Sequence, residues 1–273
     1  MTMAYLTKWL TPDGTRWALD GRLLANGFAL HRLLEHPANE IDDVLRPLVL
    51  DAAPAGMPLA PVDDDTEVWA AGVTYRRSRE AREAESTVKD VYSRVYEAAR
   101  PELFFKATGW RVAGPGMPIR VRRDSRWNVP EPELTLVITS RGEIAGFCAG
   151  NDVSSRDIEG ENPLYLPQAK IYNGSCALGP GISLCDADAL RDLAIAVTVS
   201  RQGGTLFAGT TSTAHLNRSL QDLVDYLGRE LDFPAGVLLM TGTGIVPPDD
   251  FTLQPGDAVR IQIGSLVLEN EVA

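Results

Sequence analysis

Apolar runs of three to seven residues, separated by turns rich in glycine and proline, dominate the chain beyond residue 101. They fall at 103–106, 119–122, 134–139, 144–149, 194–200, 237–240, 258–263 and 266–268. This spacing predicts short β-strands that pack as a sandwich or a rolled barrel. One helical pattern interrupts them at 216–231, where apolar residues recur at intervals of three and four. The pattern therefore predicts a β-rich α+β protein.

The first 65 residues show a different mixture of patterns. In order, they predict a strand with a turn, two short helical turns and a connector rich in proline, glycine and alanine, at 17–24, 30–35, 41–45 and 51–62. A new apolar run begins at residue 67. We predict a small N-terminal α/β unit over 1–65 and a main domain over 66–273.

Residues 76–100 are highly charged, and their few apolar side chains recur at helical spacing. The pattern predicts a solvated, amphipathic helical insertion. Because the segment lies between two groups of candidate site residues, it could close over a site as a lid. A fixed surface helix fits the same pattern, and the sequence does not separate these alternatives.

The charge of the chain argues against one class of partner. It carries 37 acidic and 26 basic residues, which gives a net charge of −11 at pH 7. Nucleic-acid phosphates require a basic face, so no nucleic-acid partner is expected. No apolar run approaches the roughly 18 to 20 residues of a membrane span, and residues 1–9 lack the pattern of a secretory signal. We therefore expect a cytoplasmic protein with no membrane partner.

Cysteine and histidine usage narrows the chemistry further. The three cysteines have no metal-ligand spacing and are predicted to be buried thiols. The three histidines, at positions 31, 36 and 215, lie away from the acidic segments described next. The sequence therefore does not favour a Ser-His-Asp triad or a three-histidine zinc site.

The most informative segment is 128–138, where Glu131 and Glu133 precede an apolar run. Alternate residues of a strand face the same side, so both carboxylates should project into one small volume. Pro130 and Pro132 fix two φ angles and make that presentation rigid. A third carboxylate, Asp152, follows the apolar run at 144–149.

Three carboxylates without a nearby histidine or cysteine suit a hard cation with oxygen ligands, Mg²⁺ first. Like charges this close repel each other unless a cation or a proton lies between them. The alternative is a solvated acidic face, which is the common meaning of an isolated Glu-x-Glu. The other segments of the chain favour the metal site.

Eight segments, taken in order, resemble the fumarylacetoacetate hydrolase superfamily over roughly residues 66–272. They are the strand end at 71–75, Pro-Glu-Leu-Phe-Phe-Lys at 101–106, the Glu-x-Glu pair, the strand end at 150–157, Leu-Pro-Gln-Ala-Lys at 166–170, Leu-Gly-Pro at 178–180, Thr-Gly-Thr-Gly at 241–244 and the hairpin at 254–257. The resemblance implies a mixed β-sandwich roll and a homo-oligomer, either a homodimer or a homotetramer. It also implies Mg²⁺ or Mn²⁺ on Glu131, Glu133 and Asp152, with a 2-oxo acid substrate on the open face of the ion.

One departure distinguishes the branches of this superfamily. Its C–C hydrolases carry a histidine where this chain has Ser78. The segments around Ser78, 101–106 and 166–172 instead resemble the branch that dehydrates 2-keto-3-deoxy sugar acids, for example a 2-keto-3-deoxypentonate to 2,5-dioxopentanoate. The alternatives are C–C hydrolysis of acylpyruvates or other diketo acids, decarboxylation of oxaloacetate at the same metal, and a non-catalytic keto-acid binder. The retained carboxylates and Lys170 argue against the last.

For dehydration we predict two catalytic side chains. Lys170 is the candidate base for the C3 proton, or the charge that anchors the enolate oxygen, and the first role requires a lowered pKa. Glu102 is the candidate acid for the departing C4 hydroxyl, with its pKa raised by the apolar wall of Phe104 and Phe105.

Five further residues are predicted to bind substrate, although each has a purely structural alternative. They are Tyr75, Ser78, Lys106, Gly242 and Thr243. The turn at 242–244, together with the hydroxyl of Thr243, is a candidate anion nest for the substrate carboxylate. Arg156 is expected to brace Asp152 or Asp157 rather than to touch substrate.

Overall fold

The computed structural model describes residues 4–85 and 89–273, in which short strands alternate with short helices. The strands are β1 (Ala4–Thr11), β2 (Gly14–Leu19), β3 (Arg22–Leu23), β4 (Met57–Leu59), β5 (Glu67–Gly72), β6 (Glu102–Thr108), β7 (Asn128–Val129), β8 (Pro132–Ile138), β9 (Ile144–Asp152), β10 (Ser154–Ser155), β11 (Cys176–Leu184), β12 (Ala194–Arg201), β13 (Gly204–Ser212), β14 (Val237–Met240), β15 (Ala258–Ile263) and β16 (Leu266–Glu271). The α-helices are α1 (Leu30–Leu34), α2 (Ile41–Leu45), α3 (Arg76–Glu85), α4 (Lys89–Glu97), α5 (Arg156–Glu161), α6 (Leu166–Lys170) and α7 (Leu220–Leu227). Single 3₁₀ turns lie at Ala38–Glu40, Arg46–Leu48, Gly109–Arg111, Pro163–Tyr165, Ala187–Leu190 and Thr213–His215.

Within these ranges, ten strands form one mixed sheet. Nine of them follow the order β3-β2-β1-β11-β9-β8-β14-β5-β6, and β4 pairs with β1. Strand β14 runs parallel to β5 and antiparallel to β8, which makes the sheet mixed. A four-stranded antiparallel sheet has the order β13-β12-β15-β16, and β7 pairs with β10.

Both faces of the large sheet are covered, which explains why its central strands are apolar without alternation. Every residue of β8 and β14 is buried. On one face, Leu136 and Leu239 belong to a core shared with β12, β15 and α7. On the other face, Val137 and Leu238 belong to a core shared with α1 and α2. The predicted β-rich α+β class and the mixed β-sandwich are therefore confirmed.

Several predicted elements need correction. The strand predicted at 119–122 is wrong, because only a single bridge joins Ile119 to Val272. The helix predicted over 216–231 is shorter, since the hydroxyl of Ser219 accepts the N–H of Asp222 at its start and Gly228 follows its end. Strands β1, β11 and β13 have no predicted counterpart. Glycine and proline interrupt the apolar pattern of β11, and no residue of β13 is buried.

The N-terminal strands continue the main sheet. Strand β1 pairs with β2 on one side and with β11 on the other. Division of the chain into 1–65 and 66–273 stays a prediction.

Helices α3 and α4 occupy the charged segment that was predicted to be helical, and residues 86–88 of that segment lie outside the described ranges. The guanidinium group of Arg218 donates to the carbonyls of Val95 at 3.0 Å and Ala99 at 2.9 Å. These bonds hold the end of α4 to the body of the protein, and the lid role stays a prediction. No helix in the described part of the chain is long and apolar enough to cross a membrane.

Replacing Leu6 with Ala should destabilise the whole protein rather than its first 65 residues alone. Leu6 is fully buried on β1 and pairs with Ile182 of β11, and a buried Leu→Ala change costs about 2–5 kcal/mol. We expect one urea-unfolding transition, followed by circular dichroism and tryptophan fluorescence, shifted to lower denaturant. Leu10→Ala, at a position of β1 that is 45% exposed, is the control. Two separate transitions, with only one shifted, would contradict this expectation.

Candidate active site

A small cavity lies where the end of β5, the start of β8 and the end of β9 meet α3, α5 and α6. Its free volume is about 20 Å³, enough for little more than one water molecule. Most of its lining is polar or charged. The lining side chains that carry chemistry are Ser78, Arg82, Glu102, Glu131, Glu133, Asp152, Glu159, Lys170 and Thr243.

Antiparallel pairing of β8 with β9 brings the three predicted metal ligands together. Glu133 lies opposite Gly150, and the N–H of Asp152 donates to the carbonyl of Glu131 at 3.0 Å. One oxygen from each of the three carboxylates lies within 4.8 Å of the other two, and all three residues are buried. The carboxylates of Glu131, Glu133 and Asp152 therefore form one cluster.

Burial makes it costly to keep these carboxylates ionised. Exclusion of water from the buried carboxyl groups raises the pKa of Glu131 and raises the pKa of Glu133 well above its ordinary value. The neighbouring charge of Asp152 adds to both shifts. A hard dication relieves this repulsion and takes carboxylate oxygens as ligands. The donor set of three carboxylates therefore fits Mg²⁺ or Mn²⁺.

Two buried lysines contact the cluster. The ammonium group of Lys170 donates to Glu131 Oε2 at 2.6 Å and to Asp152 Oδ2 at 2.9 Å. The ammonium group of Lys106 lies 2.5 Å from Asp152 Oδ1 and donates to the carbonyl of Lys170. Lys106 thus joins the strand that carries Asp152 to the end of the helix that carries Lys170.

Two buried arginines contact the same glutamate. Arg82 and Arg156 each donate to Glu131 Oε1 at 2.7 Å. Arg82 also lies 3.1 Å from a carboxylate oxygen of Glu159. Arg156 therefore contacts the carboxylate cluster through Glu131, and the expectation that it braces Asp152 or Asp157 stays a prediction. The carboxylate of Asp157 accepts hydrogen bonds from Ser125 and from the backbone of Arg126.

Lys170 is a charged ammonium group in this arrangement. Burial alone lowers its pKa, but the carboxylates of Asp152, Glu131 and Glu159 outweigh burial and raise that pKa well above its ordinary value. Lys170 therefore lacks the low pKa that a base requires for as long as it contacts these carboxylates.

Glu102 has the altered acidity that a proton donor needs. Loss of water raises the pKa of its carboxyl group to about 7, and the charge of Glu159 contributes to the shift. Phe104 lines the cavity as expected. Phe105 does not line it and packs against Trp69, with ring centroids 6.0 Å apart. Of the two predicted phenyl rings, only Phe104 is part of the wall.

Gly72 leaves the space that Glu102 occupies. The two residues face each other across β5 and β6. A Cβ atom at Gly72 would lie 2.0 Å from Glu102 Oε2. The glycine at the end of β5 is therefore required for the position of this carboxyl group.

Three predicted substrate-binding residues, Ser78, Gly242 and Thr243, line the cavity. The N–H of Gly242 already donates to Glu133 Oε2 at 2.7 Å, and the hydroxyl of Thr243 accepts the N–H of Ile245 at 3.2 Å. The turn at 242–244 therefore orients Glu133, a predicted metal ligand, and also borders the cavity.

The other two, Tyr75 and Lys106, are not among the residues that line the cavity. Tyr75 is buried, and its ring lies where a side chain at Gly244 would be, 2.6 Å from an added Cβ. Burial raises the pKa of Tyr75, so its hydroxyl stays neutral. Both residues lie behind the wall of the cavity. This geometry does not favour the prediction that either of them contacts substrate.

Sequence reasoning missed Arg82 and Glu159. Arg82 lies four residues after Ser78 on α3, and Glu159 lies three residues after Arg156 on α5, so helical spacing places each pair on one face. That signal could have added both residues to the site once Ser78 and Arg156 were considered.

Residues 67–273 match the model of the fumarylacetoacetate (FAA) hydrolase C-terminal family. The chain belongs to this family. Because the match covers the strands and helices that carry the cluster, Lys170 and Glu102, the site is part of the family's own domain.

Two curated relatives are named as dehydratases. The chain is 49% identical over 214 residues to a probable 2-keto-3-deoxyxylonate dehydratase of Haloferax volcanii. The matched residues make up 78% of this chain and 73% of the relative. It is 43% identical over 210 residues to a 2-dehydro-3-deoxy-D-arabinonate dehydratase of Saccharolobus solfataricus, which covers 74% of this chain and 70% of the relative.

Solved structures show a similar arrangement of the whole chain. A 2-keto-3-deoxy-D-arabinonate dehydratase complexed with magnesium and 2,5-dioxopentanoate is 34% identical, with a TM-score of 0.82 and 98% of each chain covered. A 2-hydroxyhepta-2,4-diene-1,7-dioate isomerase from Mycobacterium marinum, 22% identical with a TM-score of 0.71, shows likeness of fold alone.

Gly72→Ala should displace the carboxyl group of Glu102 without emptying the metal site. The added methyl group collides with Glu102 but not with the three carboxylates. We expect the pKa of Glu102, followed by NMR of glutamate-labelled protein, to fall towards its ordinary value, while Mg²⁺ binding measured by calorimetry is retained. Gly204→Ala is the control, because its Cβ meets only the carbonyl of Arg201 at 3.7 Å. An unchanged Glu102 pKa in Gly72→Ala would show that the strand adapts.

Proposed function

We propose that this protein is a magnesium-dependent dehydratase of 2-keto-3-deoxy sugar acids, a carbon–oxygen lyase that converts a 2-keto-3-deoxypentonate to 2,5-dioxopentanoate. The observation that carries the proposal is the buried carboxylate cluster, together with the ammonium group of Lys170 and the protonatable carboxyl group of Glu102 that line the same cavity. Relatives at 49% and 43% identity that are named as dehydratases of such acids support it. So does the 34% identical structure that contains magnesium and 2,5-dioxopentanoate.

Glu131, Glu133 and Asp152 hold the metal in this proposal. The ion that these residues would hold would supply a Lewis acid that acidifies the C3 protons of a 2-oxo acid. The surrounding side chains keep the ligands in place: Gly242 orients Glu133, and Lys106 holds Asp152 from behind.

Lys170 is the proposed group at C3. Its high pKa depends on direct contact with Glu131 and Asp152. When those carboxylates are engaged by a cation, the interaction that raises the pKa of Lys170 weakens, and the amine can accept the C3 proton. In the ammonium form the same group stabilises the negative charge on the enolate oxygen.

Glu102 is the proposed acid. The C3–H bond breaks, the electron pair forms the C3–C4 double bond, and the C4–O bond breaks as Glu102 donates its proton to the leaving hydroxyl, which departs as water. Formation of the C3–C4 double bond leaves an unsaturated 2-oxo acid that still carries the C5 hydroxyl group. A proton then leaves C5 and a proton is added at C3, which gives an enol with a C4–C5 double bond. This enol tautomerises to the aldehyde of 2,5-dioxopentanoate. Ser78 and Thr243 border the space in which the substrate's oxygens would lie.

The hydrolytic alternative lacks the histidine with which hydrolases of the family activate water. No histidine lines the cavity in the part of the chain that the structure describes, and Ser78 is the residue at the position where hydrolases of the family carry one. Dehydration requires only an acid and a base, which Glu102 and Lys170 supply. The arrangement as homodimer or homotetramer and the cytoplasmic location stay predictions.

Lys170→Met should abolish dehydration while Mg²⁺ still binds. Loss of a group that transfers a proton in the transition state costs about a hundred- to ten-thousand-fold in rate. Removal of a positive charge next to Glu131 and Asp152 should leave Mg²⁺ affinity unchanged or higher by calorimetry. Lys8→Met is the matched control, because Lys8 is also buried and donates to the carbonyl of Val62, far from the cluster in sequence. Pyruvate release from an acylpyruvate, without turnover of any 2-keto-3-deoxy acid, would refute the proposed function.

The rate of dehydration should fall as pH rises through about 7 because Glu102 must be protonated. Its raised pKa keeps the neutral acid dominant below that value, and the acid is lost above it. The measurement is kcat across about pH 5 to 9. Glu102→Gln should remove the fall of kcat with rising pH and should lower kcat by about a hundredfold or more. Glu97→Gln, an exposed carboxylate on α4, is the control. If kcat of Glu102→Gln still falls as pH rises through about 7, the titrating group is not Glu102.

A further inference from the structure

An apolar cavity of about 220 Å³ adjoins the candidate active site. Its far walls are formed by Val91, Tyr92 and Val95 of α4 and by Pro163. Three other side chains line both cavities and form the partition between them: Glu102, Glu159 and Leu166. We call this space the distal cavity.

The space around the carboxylate cluster is too small for the proposed substrate. Its volume of about 20 Å³ holds little more than a water molecule, whereas a five-carbon keto acid needs several times that space. The distal cavity has about 220 Å³ on the far side of a wall made of three side chains. Rotation of those side chains would join the two spaces.

The proposed chemistry fixes which end of the substrate lies at that wall. The carboxylate and keto oxygens belong at Glu131, Glu133 and Asp152, and the C4 hydroxyl belongs at Glu102. Glu102 is part of the partition. The carbon atoms beyond C4 therefore extend towards the distal cavity.

The chemistry of the distal cavity is selective. Among the described residues that line it there is no lysine, arginine or histidine, and its valine, leucine and proline side chains and the uncharged ring of Tyr92 do not balance the charge of a buried anion. The carboxylate of Glu159 at the partition would repel a second anion. Arg82, the cation that contacts Glu159, is already paired with Glu131.

We propose that the distal cavity receives the substrate atoms beyond C4, and that it selects 2-keto-3-deoxy acids with an uncharged, apolar end over acids that end in a carboxylate or a phosphate. The inference rests on the proposed dehydratase function and names the substrate class of the same site. An acid with a terminal methyl group fills the valine-lined space, and burial of apolar area favours it over a terminal hydroxyl.

A series of six-carbon acids that differ only at C6 tests the selectivity in the unmodified protein with Mg²⁺. The ends are a methyl group (2-keto-3,6-dideoxyhexonate), a hydroxymethyl group (2-keto-3-deoxyhexonate) and a carboxylate (2-keto-3-deoxyhexarate). From loss of substrate by chromatography, we expect kcat/KM for the methyl end to exceed that for the hydroxymethyl end by about three- to tenfold. The carboxylate end should be poorer than the hydroxymethyl end by about a hundredfold or more. Equal values of kcat/KM for the acid with the methyl end and the acid with the carboxylate end overturn the proposal.

Variants of Val95 test the location. Val95→Phe fills the distal cavity, so kcat/KM for the six-carbon methyl acid should fall by about tenfold or more relative to the five-carbon acid. Val95→Ala enlarges the cavity and should raise the ratio of kcat/KM for the six-carbon methyl acid to kcat/KM for the five-carbon acid. Ala98→Phe is the matched control, because Ala98 is exposed beyond the end of α4 and does not line the cavity.

The two proposals fail in different ways. A ratio of six-carbon to five-carbon turnover that is unchanged in both Val95 variants overturns the distal cavity and leaves the dehydratase function intact. Absence of turnover of every 2-keto-3-deoxy acid, the five-carbon acid included, by the unmodified protein overturns the function itself. Loss of all activity in Val95→Phe with a raised ratio in Val95→Ala supports the proposal, because the enlarged variant reports on the same wall.

Discussion

Charge balance in a space that excludes water is the constraint on which the site depends. Among the described residues around the cluster, four buried carboxylates face four buried cations: Glu131, Glu133, Asp152 and Glu159 against Arg82, Lys106, Arg156 and Lys170. A buried charge without a partner costs several kcal/mol. Because these charges come from β6, β8, β9, α3, α5 and α6, their ion pairs join elements that are far apart in the chain. The ion pairs therefore position the elements around the cavity as well as the ligands within it.

The same balance gives a reason for the type of substrate. A dication on Glu131, Glu133 and Asp152 adds two positive charges to a formally neutral set of side chains. A 2-oxo acid brings one negative charge on its carboxylate and develops a second on the enolate oxygen. Transfer of the C3 proton to Lys170 does not change the total charge of the site. It creates an ammonium group on Lys170 and a negative charge on the enolate oxygen, which the dication would stabilise, so the site favours the reacting state over the bound ketone.

The sequence predicted the parts of this site that depend on local spacing. Glu131 and Glu133 could be placed together because alternation along a strand is a local property, and Asp152 because it ends the next apolar run. The partners of Lys170 could not be predicted in the same way, since they lie on other strands, and these partners determine its pKa. Arg82 and Glu159 were missed because their ion pair joins α3 to α5, which are distant in the chain. In the fold, β1 escaped prediction because buried polar residues such as Thr7 and Lys8 interrupt its apolar pattern.

Strand order has a consequence for how the protein is made. Strand β14 lies between β8 and β5 in the sheet, although it follows both in the chain. Directly after it, Gly242 supplies the amide that orients Glu133. During translation, β5 and β8 must therefore remain with open edges until residue 240 has left the ribosome. A nascent chain therefore has to extend 109 residues past Glu133, to Gly242, before the amide that orients this carboxylate is available.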